Sequence, residues 1–293
     1  MVAWVGADAE NEGLLCWDGE EAQGQMGFRA RRLAGPMAEH VECVWVCSNA
    51  PGPWRLERVL PPGRAQLIVN LREDQTRSYR GERMEVGPGT VVSGIGTRYE
   101  IIDSAEQEEV AGVVFRPGGT LAFFGLPADL MSETGMAVED LWGAGAVRRL
   151  RERLLESRDA GQRLAVLEEE LRLAWTGRGL HPAVAYALRQ FQATPSLVRV
   201  GGVAKAAGLS QKRLGERFQR EVGISPKRYC RLLRFQQAVG QAHGAARPDW
   251  SAVAADCGFS DQAHLIHEFQ AFAGLTPGQY EARRTAFQNH VGN

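Results

Sequence analysis

Two short segments near the carboxyl-terminal end of the chain carry the same turn, followed by polar side chains at helical spacing. The first segment follows Gly208-Leu209-Ser210, and the second follows Gly258-Phe259-Ser260. A serine can begin a helix because its hydroxyl accepts a hydrogen bond from one of the first backbone amides. Each predicted helix has apolar residues on one side and polar residues on the other, and such polar side chains can contact the bases and phosphates of nucleic acid. The predicted outward residues are Gln211, Lys212, Gly215, Glu216 and Gln219 in the first helix and Gln262, Ala263, His264 and His267 in the second.

The two segments belong to a longer repeated pattern. Each copy continues as Phe-x4-Gly-[Ile/Leu]-[Ser/Thr]-Pro-x2-Tyr, from Phe218 to Tyr229 and from Phe269 to Tyr280. The second copy lies 50 residues further on at the glycine of the turn and 51 further on at the phenylalanine, so we expect its middle helix to be one residue longer. A period of this size indicates two copies of one supersecondary unit. The order of helix, glycine-containing turn and helix is typical of a helix-turn-helix.

A long helix is predicted between the two copies, from Pro226 to Gln241, with proline near the first helical position. Such a helix would hold the two units at a fixed separation. Fixed separation matters because two helices reach successive major grooves of a duplex only when they are about 34 Å apart.

These features of residues 180–284 resemble the DNA-binding domain of the AraC/XylS family of bacterial transcription regulators. The resemblance implies sequence-specific binding of double-stranded DNA by a recognition helix in each unit, predicted at Ser210–Arg220 and Ser260–Gln270. Gly215 lies where such regulators often have a polar side chain that contacts a base. The contact residues that the resemblance implies are Ser210, Gln211, Lys212, Arg213, Glu216, Arg217, Ser260, Asp261, Gln262, Ala263, His264 and His267.

Charge is divided unevenly along the chain. Residues 180–284 contain 14 basic and seven acidic side chains, a net charge of +7, whereas the remainder has a net charge of −8. A basic domain can neutralise phosphates and release their counterions, and an acidic domain cannot. The near-neutral total of −1 conceals this difference, which supports nucleic-acid binding by the carboxyl-terminal part.

The amino-terminal half has short apolar runs separated by turns rich in Gly and Pro, a pattern typical of a β-sandwich or barrel. It resembles, more loosely, the cupin-like domains that precede the DNA-binding unit in this family, through Leu60–Gly63, Val69-Asn70 and Val114–Gly119. We therefore expect an α+β protein, in which a cupin-like β domain with trailing helices precedes an all-α domain with two helix-turn-helix units. The predicted divisions are an extension over 1–34, a sensor and dimerisation domain over 35–178, a DNA-binding domain over 179–284 and a flexible tail over 285–293. The predicted strands are His40–Cys47, Arg58–Leu60, Ala65–Leu71, Thr90–Ile95, Tyr99–Ile102 and Glu109–Phe115.

The resemblance also implies a small-molecule effector bound in the amino-terminal domain. Apolar strand residues would line its pocket, with a solid core as the alternative. The helices over 138–175 carry an apolar stripe that would join two chains in a homodimer or, equally, cover the sheet. RNA polymerase is a further partner that a regulator of this type would meet. The pocket residues are predicted to be Trp45, Ile68, Ile95 and Phe115, and the stripe comprises Leu150, Leu154, Val166, Leu167 and Leu171.

Cys43 and Cys47 lie on one predicted strand at even spacing and therefore on one face. They could form a thiol sensor or a metal site with His40 or Cys16. Residues four apart on a strand are separated by roughly 13 Å, too far for one metal ion or one disulfide. Buried cysteines that pack as small apolar side chains are therefore favoured.

Motifs for catalysis are absent: the sequence has no Gly-x-Ser-x-Gly, no P-loop, no His-Glu-x-x-His and no Cys-x-x-Cys. We expect no catalytic residue, cofactor or metal. The alternatives are a cupin-like ligand- or metal-binding enzyme fused to a DNA-binding module, for which a His-x-His pair is lacking, and a DNA-binding protein without an effector. No apolar run is long enough to span a membrane, no secretory signal is recognisable, and the five cysteines show no framework spacing, so a cytoplasmic, nucleoid-associated protein is expected.

Overall fold

The computed structural model describes residues 15–16, 27–48, 54–80, 83–103, 108–133 and 135–293. Most of the predicted extension over 1–34 and the side chain of Cys16 lie outside the described residues. Two antiparallel sheets and their covering helices form an amino-terminal part, called the β domain, and seven helices form a carboxyl-terminal part, called the helical domain. The predicted α+β class is confirmed.

The described residues form twelve strands. They are β1 (Leu15–Cys16), β2 (Gly27–Arg31), β3 (Val41–Ser48), β4 (Leu56–Val59), β5 (Ala65–Asn70), β6 (Gln75–Arg80), β7 (Arg83–Pro88), β8 (Thr90–Ser93), β9 (Glu100–Asp103), β10 (Glu109–Phe115), β11 (Gly135–Ala137) and β12 (His290–Gly292). One sheet has the order β1-β2-β3-β10-β5-β8-β11 and the other has the order β12-β4-β9-β6-β7. Each of the six predicted strands corresponds to an observed one, whereas the polar strands β6 and β7 were not predicted.

Helices cover one face of the seven-stranded sheet. They are α1 (Leu121–Phe124), α2 (Glu139–Trp142), α3 (Ala144–Glu156) and α4 (Ala160–Ala174). Alternation along β10 directs Ala111, Val113 and Phe115 into the cluster that these helices complete. All five residues of the predicted dimer stripe, Leu150 and Leu171 among them, are buried in the same cluster. The stripe therefore covers the sheet, and its use as a dimer surface was wrong because those side chains already have partners within the chain.

A single core unites the helical domain. Its helices are α5 (Pro182–Ala193), α6 (Val200–Ala206), α7 (Gln211–Val222), α8 (Pro226–Gly244), α9 (Trp250–Asp256), α10 (Gln262–Ala273) and α11 (Pro277–Arg283). The long helix α8 contributes Tyr229 to the side of the first unit, where its ring lies 5.6 Å from that of Phe218. Phe235 contacts the second unit, with ring centroids 5.1 Å from Phe269 and 5.0 Å from Phe272. The two units and α8 thus share one apolar cluster.

Both predicted terminal segments differ in the structure. Part of the expected extension over 1–34 belongs to the β domain, because β2 pairs with β3. The expected flexible tail over 285–293 instead ends in β12, which pairs with β4 at the edge of the other sheet. Val291 is fully buried, and Trp54 lies so close to Gly292 that no side chain would fit there. An edge strand has unpaired backbone groups, and the tail provides partners for those of β4.

A buried ion pair ties α10 to α8. The guanidinium of Arg231 donates to both carboxylate oxygens of Glu268, at 2.8 and 2.7 Å. Glu268 exposes 5% of its side chain and Arg231 33%. Burial alone would raise the pKa of Glu268, but the hydrogen bonds and charge of Arg231, with His264 and Arg234, outweigh it and lower that pKa below its ordinary value of 4.5.

We predict that this pair makes the helical domain sensitive to acid. A carboxylate with a lowered pKa stabilises the folded protein above its unfolded pKa, and that stabilisation is lost as the pH falls below about 4.5 and through the folded value. Glu268→Gln should remove this part of the pH dependence. It should also lower the free energy of unfolding at pH 7 by about 3 kcal/mol, because the guanidinium loses its charged partner. Urea unfolding at pH 7 and pH 4 measures both effects.

The control is Glu216→Gln, which removes an exposed carboxylate 3.9 Å from Lys212. It should change the free energy of unfolding by less than about 1 kcal/mol. Equal acid sensitivity in wild type and Glu268→Gln would contradict the prediction.

Candidate nucleic-acid interface

The first helix-turn-helix consists of α6, the turn at Gly208 and α7. Gly208 has a left-handed backbone, φ +71°, which a residue without Cβ adopts readily. The Ser210 hydroxyl accepts a hydrogen bond from the Arg213 amide at 3.3 Å and begins α7, as predicted. Leu214 and Phe218 are buried on the inner side of α7. The first turn of α7 therefore presents its other side to solvent.

The repeated Phe-to-Tyr motif has the same packing in both copies. The ring centroids of Phe218 and Tyr229 are 5.6 Å apart, and those of Phe269 and Tyr280 are also 5.6 Å apart. The glycines end α7 and α10 in left-handed conformations. The hydroxyl residues and prolines of the motif then begin the next helices: Ser225 with Pro226 in the first copy and Thr276 with Pro277 in the second. Each position of the motif thus has a structural role in stopping, starting or packing a helix.

The second unit departs from the prediction at its helix starts. Asp249 caps α9 by accepting from two backbone amides. Asp261, and not Ser260, caps α10 by accepting from the His264 amide at 2.7 Å. A carboxylate is favoured at a helix start because it also interacts with the helix dipole. Since α7 and α10 both have 12 residues, the extra residue of the second copy lies in the turn and not in its helix.

The predicted contact residues lie at the two helix starts, on the outer side. Each of them is exposed except His264, which is half-buried with its ring beside Ser260. Three of them are engaged in weak surface pairs: Lys212 lies 3.9 Å from Glu216, and Arg217 lies 3.6 Å from Glu221. Surface pairs of this kind contribute little to stability. The side chains therefore remain available to a ligand outside the protein.

A basic groove between the two units was not predicted. It has a volume of about 450 Å³. Three of its cations, Lys227, Arg231 and Arg234, follow one face of α8, and His264 at the start of α10 forms another wall. Spacing of three and four residues along α8 was the signal that could have revealed it. The Nε of Arg234 is buried without a hydrogen-bond partner among the described residues, although its Nη1 donates to the Gly258 carbonyl.

The four residues predicted to line an effector pocket are not brought together. Trp45 and Ile68 lie on the face of the seven-stranded sheet opposite the helices. Phe115 follows an irregularity in the pairing of β10 and belongs to the helix-covered cluster, where it contacts Phe123 and Phe124. Ile95 lies beyond the end of β8 and joins the core of the helical domain. The predicted set is therefore divided among three clusters.

Cys43 and Cys47 are buried with Trp45 on one face, as their spacing predicted. Burial raises the pKa of the Cys43 thiol to about 12, so the thiolate that reacts with oxidants is scarce. Among the described residues, no group of three or more His, Cys, Asp or Glu side chains is arranged to hold a metal ion. None of the described helices combines the length and apolar content needed to cross a membrane.

Two family models match the chain. Residues 203–283 match a helix-turn-helix domain. Residues 34–137 match a domain of unknown function, DUF6597. The first match includes most of both units and all of α8. No curated protein matches the chain.

Several solved structures are similar to parts of this chain. A transcriptional regulator from Chromobacterium violaceum, described as containing an AraC-type DNA-binding domain, is 22% identical, with 34% of this chain and 90% of that chain covered and a TM-score of 0.32. A probable AraC family regulator from Rhodopseudomonas palustris is 24% identical, with 35% and 96% covered and a TM-score of 0.32. ToxT from Vibrio cholerae is 7% identical, with 82% and 95% covered and a TM-score of 0.45.

The helix-turn-helix family match agrees with the geometry of the two units. Two copies of one unit share a core through α8, and the exposed starts of α7 and α10 carry the side chains that contact bases and phosphates in such proteins. Residues 203–283 therefore form a helix-turn-helix domain, and both of its units present their second helix to solvent.

Proposed function

We propose that the protein binds duplex DNA with both units at once, placing the starts of α7 and α10 in successive major grooves. The observation that carries the proposal is the pair of equivalent, exposed helix starts on one shared core. Because α8 contributes side chains to both halves of that core, the units cannot separate without exposing apolar surface. Two helices held in this way can reach adjacent grooves of one duplex.

The contacts divide into two kinds. Gln211 and Gln262 occupy the same position at the two helix starts, and a glutamine amide can both donate to and accept from an adenine edge. Lys212 and Arg213 carry positive charge suited to phosphates. The basic groove along α8 lies between the units, where the intervening stretch of backbone would pass, and its exposed Lys227 would contribute affinity without base preference.

Lys212→Ala should weaken binding to all duplexes alike. The side chain is 87% exposed, and its weak surface pair with Glu216 leaves the ammonium able to reach a phosphate. Its loss should therefore reduce the slope of log affinity against log salt by about 0.9. Titrations of a labelled duplex at several salt concentrations measure this change. Arg148→Ala, which removes an exposed charge from α3 in the β domain, is the matched control and should leave the slope unchanged.

Footprinting tests the two-groove arrangement directly. Protection should cover two major-groove segments one helical turn apart on the same face of the duplex. Protection of one segment only would contradict the proposal, and an unchanged salt slope in Lys212→Ala would remove that residue from the interface.

We also propose that the regulator responds to a small effector bound at the face of the seven-stranded sheet that carries Trp45. Support comes from two buried polar atoms, the indole Nε1 of Trp45 and the Oε1 of Gln66, which lack hydrogen-bond partners among the described residues. Trp45 aligns with Gly112 and Ile68 across three strands, and Gln66 lies two residue pairs further along, opposite Val114. The indole lies against Gly112, where a Cβ would be 2.6 Å from the ring.

An unsatisfied donor and an unsatisfied acceptor on one apolar face suit a ligand whose polar groups accept from the indole and donate to the amide oxygen, such as a hydroxyl, a primary amide or a protonated carboxylic acid. Leaving each such atom unpaired costs about 1–3 kcal/mol. A ligand that pairs them in one conformation of the protein would favour that conformation.

Trp45→Phe keeps an aromatic ring and removes the donor. Thermal shift assays with apolar alcohols, amides and acids should give at least one stabilising compound for the wild type. Its affinity should fall by about 5- to 150-fold in the variant, the equivalent of 1–3 kcal/mol. Trp142→Phe, which removes an indole that donates to the Phe123 carbonyl under α1, is the control. Flat melting curves throughout the panel, with DNA binding unchanged, would instead favour an effector-independent regulator.

We propose further that two chains act together on chromosomal DNA, as a regulator in the cytoplasm that meets RNA polymerase at its promoters. A second chain raises affinity through effective concentration, and symmetric dimers are the commonest assembly. Because the apolar stripe of α3 and α4 is buried, a dimer would require another surface. Sedimentation of the full chain at tens of micromolar should show a dimer, and a monomer at that concentration would contradict this part of the proposal.

A further inference from the structure

Both recognition helices, α7 and α10, end against the β domain. Each ends at a glycine with positive φ, Gly223 at +106° and Gly274 at +64°. These glycines occupy the same position of the repeated motif. The β domain approaches each of them so closely that a Cβ would come within 2.6 Å of one of its atoms. Equivalent points of the two units thus contact the same neighbouring domain.

The first contact is made by the 3₁₀ turn at Ala128–Met131 and the residue that follows it. The hydroxyl of Ser132 donates to the Gly223 carbonyl at 2.7 Å. The carbonyl of Ala128 lies 3.2 Å from where a Cβ of Gly223 would be. Beside them, Glu133 lies 3.9 Å from Arg228 at the start of α8. The end of α7 is therefore bonded to the β domain through its terminal carbonyl.

The second contact is made by the five-stranded sheet. The Tyr99 amide, just before β9, donates to the Phe272 carbonyl at 3.0 Å. The guanidinium of Arg58, on β4, donates to the Ala273 carbonyl at 2.9 Å and lies 4.0 Å above the Tyr99 ring. The last carbonyls of a helix have no partner within it, and a cation there also interacts favourably with the helix dipole. The β domain thus supplies the C-terminal cap of α10.

The tail secures this second contact. Strand β12 pairs with β4, the strand that carries Arg58, and the Asn293 side chain accepts from the same guanidinium at 2.9 Å. At its other end the tail is held by α11, because the Tyr280 hydroxyl donates to the Gln288 carbonyl at 2.9 Å. The strand that caps α10 and the helix that follows α10 are therefore parts of one connected network.

We infer that Ser132 and Arg58 are positioning residues for DNA recognition. They hold the C-terminal ends of α7 and α10 on the β domain at two points, so that the β domain sets how the recognition helices are placed relative to each other. The inference rests on the proposed binding of one duplex by both units. Its consequence is selectivity for the spacing between the two DNA segments, which a role in stability alone would not affect.

The experiment uses the full chain and a duplex that the wild type selects from a random-sequence pool. Affinities are measured for this duplex and for versions with one base pair added or removed between the two protected segments. The test variant combines Ser132→Ala with Arg58→Leu. The matched control combines Ser157→Ala and Arg55→Leu, which remove a hydroxyl bonded to the Arg153 carbonyl and an ion pair with Asp103, both within the β domain.

The wild type and the control should bind the selected duplex at least tenfold more tightly than the altered ones. In the test variant this ratio should fall to about threefold or less, and hydrogen exchange at the Tyr99 amide should become faster. An unchanged ratio in the test variant would overturn the inference, whether or not that amide exchanges faster.

Two further outcomes separate the inference from the proposed function. A wild type that selects no duplex, or that protects a single segment, would remove the proposed function on which the inference rests. If the double variant loses its helical circular dichroism, Ser132→Ala alone is measured with the same duplexes. A ratio equal to that of the wild type would then overturn the role of Ser132.

Discussion

The helical domain depends on the burial of α8 between the two helix-turn-helix units. Helix α8 contacts the first unit through Tyr229 and the second through Phe235, and both side chains are fully buried. Complete burial of an aromatic side chain of this size contributes about 1.5–3 kcal/mol relative to exposure. Both units complete their apolar sides against α8, so the two copies of the repeated pattern share one core. The shared core keeps α7 and α10 in one domain at a limited separation.

The remaining degrees of freedom are restricted by hydrogen bonds that the helices cannot make by themselves. A helix leaves its last carbonyls without internal partners, and a left-handed glycine satisfies only some of them. In this chain the β domain donates to carbonyls at the ends of both α7 and α10. The same glycines that stop the helices also allow the neighbouring domain to approach. Gly223 and Gly274 therefore both end a helix and allow the β domain to dock there.

Local features of the structure could be predicted from the sequence, and long-range ones could not. Some features depend only on neighbours within one or two helical turns, so residue spacing was sufficient to predict them. They are the Gly-x-Ser turns, with their glycines, and the core positions of α7. Strands with strong apolar runs, such as β3 and β10, were also predictable. Asp261 was missed as a cap because both Ser260 and Asp261 suit that role, and only the observed bond to the His264 amide decides between them.

The predicted pocket was wrong for the same reason, because it depended on long-range pairing of strands. Trp45 and Phe115 are both apolar strand residues, but their strands direct them to opposite faces, and the irregularity at Phe115 is a property of pairing. The tail could not be predicted as a strand because His290, Val291 and Gly292 have no recognisable pattern on their own. Their conformation depends on the open edge of β4, more than 200 residues earlier in the chain. Whether the tail forms a strand is decided by the partner strand and not by the tail's own residues.

The two ends of each recognition helix therefore have different partners. The starts of α7 and α10 are exposed, carry the polar side chains and have the positive end of the helix dipole, which favours the approach of phosphate. The ends of the same helices carry the negative end of the dipole and lie against Arg58 or Ser132. Each of these helices has 12 residues and is about 18 Å long. Under the proposed function, a displacement of the β domain would act at the end of the helix remote from the DNA, and would affect DNA contacts without the β domain touching the duplex.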